Sequence, residues 1–304
     1  MGKKIVVTGA TGLIGKKITA ILAERGDELI VFSRSPKKAK QTLPHAHKFV
    51  MWDYNNISEW QQQLNDVDAV LHLAGENVAG SRWNNEVKTR IKESRVNSTK
   101  NIVEAIKHVN EKPKALITAS SIGYYDKYAT QEATEDTPPG NDFLAYVTRE
   151  WEEAGQNAEM LGVRHTSVRV GIVLDKSEGA LAQMLLPFKF FVGGPLGTGR
   201  QIFPWVHVDD IAALFIHAID NDFSGAVNGV APQIINMIDF CKDLGKVLHR
   251  PSLFKVPKWV IKIVLGEVAD VVTEGAPIVP KRTLETEFEF KFTNAYDALK
   301  DILK

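Results

Sequence analysis

Residues 6–15 read VVTGATGLIG. A β-branched run stops at a glycine, two more glycines follow at intervals of three, and an apolar-periodic stretch begins at Leu13 and Ile14. The pattern predicts a strand, a tight turn and a helix N-terminus. Glycines let a backbone come close to a pyrophosphate, and the helix end offers free N–H groups and positive dipole charge. Gly-x-x-Gly-x-x-Gly is weak by itself, but here it follows a strand and opens an amphipathic helix, as the motif requires. Gly9, Thr11, Gly12, Leu13, Ile14 and Gly15 are the cofactor contacts this stretch predicts.

A turn of this kind belongs in a parallel α/β sheet, and the chain has the matching rhythm. Strands are expected at Ile5–Val7, Leu29–Phe32, Lys48–Met51, Ala69–Leu73, Ala115–Ala119 and His165–Val170, with helical patterns such as Leu13–Glu24 between them. Such alternation implies a sheet covered on both faces. Beyond residue 171 the rhythm breaks into a Gly-rich loop (192–201), a helix with its approach (206–219) and one more strand (226–231). The tail is expected to be mostly helical, over Pro257–Leu265 and Ala295–Leu303, with an alternating strand at 288–292. The expected fold is α/β: a Rossmann-type doubly wound parallel sheet with a smaller, mostly C-terminal α+β substrate lobe. Residues 1–171 and 205–231 would form the NADP-binding domain, and 172–204 with 232–304 the lobe.

Lys+Arg and Asp+Glu both total 37 in 304 residues, so no global field gathers nucleic acid or an anionic membrane. No apolar run reaches the ~20 residues of a membrane span, and no signal peptide is visible in the opening stretch. These features predict a cytoplasmic protein with a small-molecule substrate, no nucleic-acid or membrane partner, and room for a homodimer. The single cysteine, Cys241, excludes an intrachain disulfide and argues against a thiolate metal site; its amphipathic setting predicts a packed core thiol. No metal site is expected.

The second strand ends in VFSRSPKK (31–38). An NAD site usually has an acid here for the ribose 2′-OH. Instead Ser33 and Arg34, with Lys37 and Lys38 beyond, offer donors suited to a 2′-phosphate, which predicts NADP(H). Asp53, after the third strand, is a candidate acceptor for the adenine amino group or a plain turn aspartate.

Four segments, TGATGLIG, HLAGENV (72–78), SSIGYY (120–125) and PWVHVDDIA (204–212), together resemble the extended short-chain dehydrogenase/reductase superfamily across essentially the whole chain. Residues 75–99, FLAYVTREWEEA (143–154) and the tail 279–303 resemble a narrower, atypical group, the epimerase family proteins, whose members are generally of unknown function and some of which carry a cell-division label. The resemblance implies cofactor contacts at Leu73, Ala74 and Gly75. It also implies a reacting-oxygen ligand at Ser121, and it puts Arg95 where the superfamily has an asparagine. Ser121 and Arg95 are therefore the candidate catalytic residues, Arg95 adding a permanent charge on the nicotinamide side.

The same resemblance calls for a Tyr-x-x-x-Lys helix, and 143–153 has none. Three frames fit the segment: Leu144/Thr148, Ala145/Arg149 and Tyr146/Glu150. The family pattern favours the first. Tyr146 lies about 200° round the helix from Leu144, and its neighbour Glu150 would raise a tyrosine pKa, where a lysine would lower it. Losing the usual acid removes roughly 10²–10⁴ in rate. Arg82, Tyr124, Arg200 and Gln201 are the predicted substrate contacts. Trp83 and Trp205 are candidates to line the cleft, while His207, Asp209 and Asp210 read as structural, Asp209 as an N-cap. The expected function is NADP(H)-linked redox or epimerase chemistry on a small nucleotide- or phosphate-bearing substrate. The alternative is a non-catalytic NADP(H)-sensing protein that acts on a protein partner in cell division.

Overall fold

The structure, a computed structural model, describes residues 2–304. Nine strands form among these residues: β1 (Lys4–Thr8), β2 (Glu28–Ser33), β3 (Lys48–Met51), β4 (Ala69–His72), β5 (Ala115–Ser121), β6 (Arg164–Val170), β7 (Ile172–Leu174), β8 (Trp205–His207) and β9 (Gly225–Gly229). Seven make one parallel sheet in the order β3-β2-β1-β4-β5-β6-β9, and β7 pairs with β8 in a small second sheet. The central strands β1, β2 and β4 carry apolar runs without alternation because both faces are covered, whereas β6, RHTSVRV, buries polar side chains that bond to one another and to its neighbours. Ile5 and Val7 of β1 enter one core while Val6 enters the other.

Eleven α-helices surround the sheets among the described residues: α1 (Leu13–Glu24), α2 (Pro36–Thr42), α3 (Asn85–Lys107), α4 (Phe143–Gln156), α5 (Gly179–Lys189), α6 (Val208–Asp220), α7 (Met237–Leu248), α8 (Lys258–Leu265), α9 (Val268–Thr273), α10 (Lys281–Glu285) and α11 (Ala295–Ile302). The stripe Ile18 and Leu22 of α1 packs with Ile211, Leu214 and Phe215 of α6 on one face of the sheet. Ile102 and Ile106 of α3 cover the other, beside Trp52 and Trp60. Each such side chain contributes roughly 1.5–3 kcal/mol of burial. A separate core joins α5, α7 and α11 around Phe188, Phe240 and Leu299. Cys241 lies within it, and burial pushes its thiol up to about 12, so it is a packing residue and no nucleophile.

Three details differ from the sequence reading. Segment 288–292 forms no strand. Its alternation records burial alone: Phe288 and Phe292 point into two cores. The N–H groups of Lys291 and Phe292 donate to the Asp210 carboxylate, at 2.8 and 3.0 Å, instead of to a neighbouring strand. Residues 205–207 pair with β7 in the small sheet, and Phe288 packs on the large-sheet side, so the chain crosses between the two parts more often than the expected split. The cap of α6 is His207, whose Nδ1 accepts from the Asp209 N–H at 3.0 Å; Asp209 itself pairs with Lys17 at 2.7 Å. No helix of the described residues is long and apolar enough to cross a membrane.

Candidate functional site

The sheet order reverses between β1 and β4, and the crevice outside the carboxyl ends of those strands is where open α/β sheets hold ligands. The N-terminus of α1 opens onto it. Gly9 has φ +67° and packs so closely on β4 that an added Cβ would lie 2.6 Å from the Leu73 carbonyl carbon. At Gly15 a Cβ would come within 2.5 Å of the Gly9 oxygen. Gly12 differs: an added Cβ would meet only the Gly9 oxygen, at 3.4 Å. Packing thus explains Gly9 and Gly15 but not Gly12, which leaves open space beside the backbone. No side chain caps α1, and the N–H groups of Leu13, Ile14 and Gly15 have no protein acceptor. Thr11 is exposed beside them. This is a helix end arranged for an anion.

Around this turn the strand ends are bound together. Thr8 Oγ1 lies 2.7 Å from His72 Nδ1, and His72 Nε2 lies 3.0 Å from Ser98 Oγ. Because the Ser98 hydroxyl donates to the Ser94 carbonyl at 2.7 Å, His72 carries its proton on Nε2 and accepts from Thr8 on Nδ1. Burial, with Arg95 nearby, drops the His72 pKa to about 3, so this link is neutral. The Ala74 N–H donates to Thr8 Oγ1 at 3.2 Å, which aims Leu73 and Gly75 at the crevice.

At the end of β2, Arg34 is exposed with no ion pair, and Ser33 Oγ accepts from the Ser35 N–H at 3.1 Å. Asp53 is exposed and accepts from the Asn55 N–H at 3.0 Å, a closed Asx turn with a second oxygen free.

A cleft of about 490 Å³ runs from Ile14 and Leu73 across the end of β5 to α9. Arg95 and Ser121 both line it. The Arg95 guanidinium stacks 5.2 Å above the Trp151 ring and donates to the carbonyls of Ile91 and Glu76. Burial lowers it to about 10, with Glu76 opposing, so it stays charged at neutral pH. Ser121 Oγ accepts from the Gly123 N–H at 3.0 Å, which leaves its own hydrogen free to donate. Leu144 and Thr148 face the cleft, so the first of the three helix frames is the one turned inward. The Thr148 hydroxyl is spent on the Leu144 carbonyl at 2.7 Å. Tyr146 is exposed on the α3 side, where it accepts from Lys92 at 3.2 Å, and Lys92 also pairs with Glu150 at 2.9 Å. Tyr146 is no acid for this cleft.

Two tyrosines at the end of β5 are engaged within the protein. Tyr125 is buried; its hydroxyl donates to Asn228 and accepts from Arg169, both at 2.8 Å. Burial, against the pull of Arg169, raises it to about 12, which makes it a poor proton donor. Tyr124, expected to meet substrate, instead packs on the Arg169 guanidinium, 3.5 Å from its ring centroid, and does not line the cleft. Arg169 forks onto Glu152 with Nε and Nη2, both at 2.8 Å, and Ser120 donates to the same carboxylate. Lys127 pairs with Asp142 at 3.0 Å.

The remaining expected contacts fall outside the cleft. Arg82 is exposed beside Gly266, and Arg200 is exposed on the Gly-rich loop. Gln201 is buried and holds that loop, donating to the Leu196 carbonyl at 3.0 Å and accepting from Thr198. A polar side chain in a mobile-looking loop is here the loop's own brace. Trp205 is fully buried in the lobe core, whereas Trp83 does line the cleft. The sequence reading passed over Glu267, Asp270, Val271 and Glu274, which line the lobe side. Their i, i+3, i+4, i+7 spacing was the available signal.

Comparison with known proteins agrees with this architecture. Residues 5–237 match the NAD dependent epimerase/dehydratase family. The chain belongs to that family. Residues 256–302 match a domain of unknown function, DUF1731. Among relatives of this epimerase-family chain, the chloroplastic epimerase family protein SDR39U1 homolog of Arabidopsis thaliana is 40% identical over 303 residues, covering 99% of this chain and 86% of that protein. Epimerase family protein YfhF of Bacillus subtilis is 34% identical over 301 residues, covering 98% and 97%. The crystal structure of human epimerase family protein SDR39U1 with NADPH superposes with a TM-score of 0.87 at 32% identity, covering 98% of both chains. The resemblance carried by TGATGLIG and its companion segments therefore holds along the chain.

Proposed function

We propose that this protein binds NADP(H) at the α1 N-terminus and uses it for redox or epimerase chemistry on a small substrate held in the adjoining cleft. The observation that carries the reading is the unfilled space at Gly12 beside three N–H groups without acceptors. The human relative crystallised with NADPH supports it. Arg34, exposed and unpaired at the end of β2, suits a 2′-phosphate, and no acid stands there to favour NAD. Bound NADP(H) supplies hydride exchange. For its part the chain offers the free hydroxyl hydrogen of Ser121 to a reacting oxygen. The fixed charge of Arg95 stabilises negative charge developing on that oxygen. Trp83, Phe143 and Leu144 give the same space an apolar wall. With Tyr125 the one tyrosine lining the cleft and its hydroxyl held between Asn228 and Arg169, proton transfer falls to solvent or substrate, and turnover is slow by the standard of a positioned acid.

A second reading, an NADP(H) sensor acting on a protein partner, is favoured by the same lack of an acid beside Ser121. The test is calorimetric titration of the parent and Arg34→Ala with NADPH and NADH. NADPH is expected to bind at least tenfold more tightly, and Arg34→Ala to narrow that gap about tenfold. Equal affinities in the parent would sink the cofactor reading. Single-turnover oxidation of NADPH that responds to Ser121→Ala separates enzyme from sensor.

A further inference from the structure

The lobe end of the cleft is walled by aromatic and aliphatic groups. Trp83 and Phe143 meet edge to face at 5.3 Å, and Leu144, Val147, Val271 and Ile278 continue the wall. Four carboxylates also line it: Asp142, Glu267, Asp270 and Glu274. Three ammonium groups answer them. Lys127 pairs with Asp142 at 3.0 Å, Lys88 with Glu267 at 2.6 Å, and Lys258 with Asp270 at 2.9 Å and Glu274 at 2.5 Å. Each of these three ammonium groups is therefore spent, and the set keeps one excess negative charge.

A diphosphate needs the opposite. It binds where cations or free N–H groups wait for it. The helix N-terminus on this side, that of α4, is already occupied by its own anion, since the Asp142 carboxylate accepts from the Ala145 N–H at 3.0 Å. Arg95 lies at the cofactor end, beside Gly75, away from the lobe wall. Arg82 and Arg200, the residues that would serve a phosphate, are exposed and do not line the cleft.

We infer that this subsite takes a neutral, largely apolar, ring-bearing carbonyl or alcohol compound and rejects nucleotide- or phosphate-bearing ones. The ring fits the Trp83–Phe143 wall, and the Ser121 hydroxyl is the polar anchor. The inference deepens the proposed function and rests on it for the cofactor end of the cleft.

The full chain, first checked for NADPH binding by fluorescence and then saturated with NADP+, is titrated calorimetrically with menadione and with UDP-glucose. Buried Cys241 keeps the quinone from a thiol side reaction. Menadione is expected to bind at least tenfold more tightly than UDP-glucose. Val271→Gln should weaken it severalfold. Asp270→Asn with Glu274→Gln, which frees Lys258, should tighten UDP-glucose at least tenfold. Tighter binding of UDP-glucose to the parent overturns the inference, as does binding of neither probe. So does menadione affinity unmoved by Val271→Gln, or UDP-glucose affinity unmoved in the double variant. If NADPH itself fails to bind, the cofactor reading falls, and the same titrations on the apo chain still judge the substrate class.

Discussion

The two ends of the cleft treat their polar groups in opposite ways. At the α1 turn, three N–H groups and the exposed Arg34 have nothing to bind, and Gly12 leaves space no packing requires. Toward β5 and α4, nearly every polar group is taken. Ser120 and Arg169 share Glu152, Tyr125 sits between Asn228 and Arg169, Lys127 holds Asp142, and Thr148 bonds its own helix. Unsatisfied donors at a buried or half-buried position are rare unless something else satisfies them. The open end thus has donors free for an anion, while the closed end is a wall of paired groups in which Ser121 keeps a hydrogen to give.

The sharpest way to break the closed end is Glu152→Ala. It strands the buried Arg169 guanidinium, which burial disfavours but the Glu152 fork holds above its ordinary pKa. Removing one partner of a buried pair costs about 3–5 kcal/mol, so denaturant unfolding should show a loss of that size. NADPH affinity per folded molecule should stay within a factor of a few.

The open end should respond the other way. Gly12→Val should reduce NADPH affinity at least a hundredfold, about 2.7 kcal/mol, while leaving the melting temperature almost unchanged. Gly15→Val, with its Cβ 2.5 Å from the Gly9 oxygen, should instead lose about 1–3 kcal/mol of stability. If the two valine variants behaved alike, the distinction between a ligand's space and a packing contact would collapse.

Acid tests the buried links behind both ends. His72 and His165 are held neutral by burial, with pKa values of about 3 and about 4, below the ordinary 6.5. Below pH 6.5 the unfolded chain takes up protons that the folded chain refuses. Stability is therefore intact above that pH and falls as pH drops from 6.5 toward 4. By pH 5 each histidine accounts for about 2 kcal/mol. Denaturant titrations at pH 7 and pH 5 should show this loss, and His72→Gln should remove about 2 kcal/mol of it. An unchanged slope in that variant would mean that His72 titrates in the folded protein.

The smallest expected effect belongs to Tyr146→Phe. Its contact with Lys92 is exposed, worth under about 0.5 kcal/mol, and no activity found should depend on it. A large loss of turnover would return Tyr146 to the reaction.

Much of this was legible before any coordinates. Unbroken apolar runs such as those of β1 and β2 mark strands buried on both faces, and the glycine spacing marks the turn. The segment 288–292 misled because alternation reports which side chains are buried, not whether a partner strand exists. Gln201 and Tyr124 misled for another reason. Whether such a side chain serves a ligand or its own neighbourhood depends on how the chain folds around it: Arg169 reaches Tyr124 from 45 positions away, and the loop 196–201 curls back on Gln201 in a way composition does not reveal. The Glu152–Arg169 fork joins α4 to β6 and left no local signature. The face formed by 267, 270, 271 and 274 was readable at helical spacing.

Glu135 points to a different consequence. β9 is the last strand of the sheet, and its outward backbone would be free. The Glu135 carboxylate accepts from the Asn228 N–H at 2.9 Å and from the Arg282 N–H at 3.0 Å. The Thr283 hydroxyl donates to the Asn228 carbonyl, and the Arg282 side chain donates to that of Ala226. The residues around α10 thereby act as a hem along the raw border of the sheet. An unfinished border of this kind is a template on which another chain can lay a strand and begin to aggregate. Self-association by strand addition is closed at this margin, so the C-terminal region both covers the sheet edge and walls the cleft.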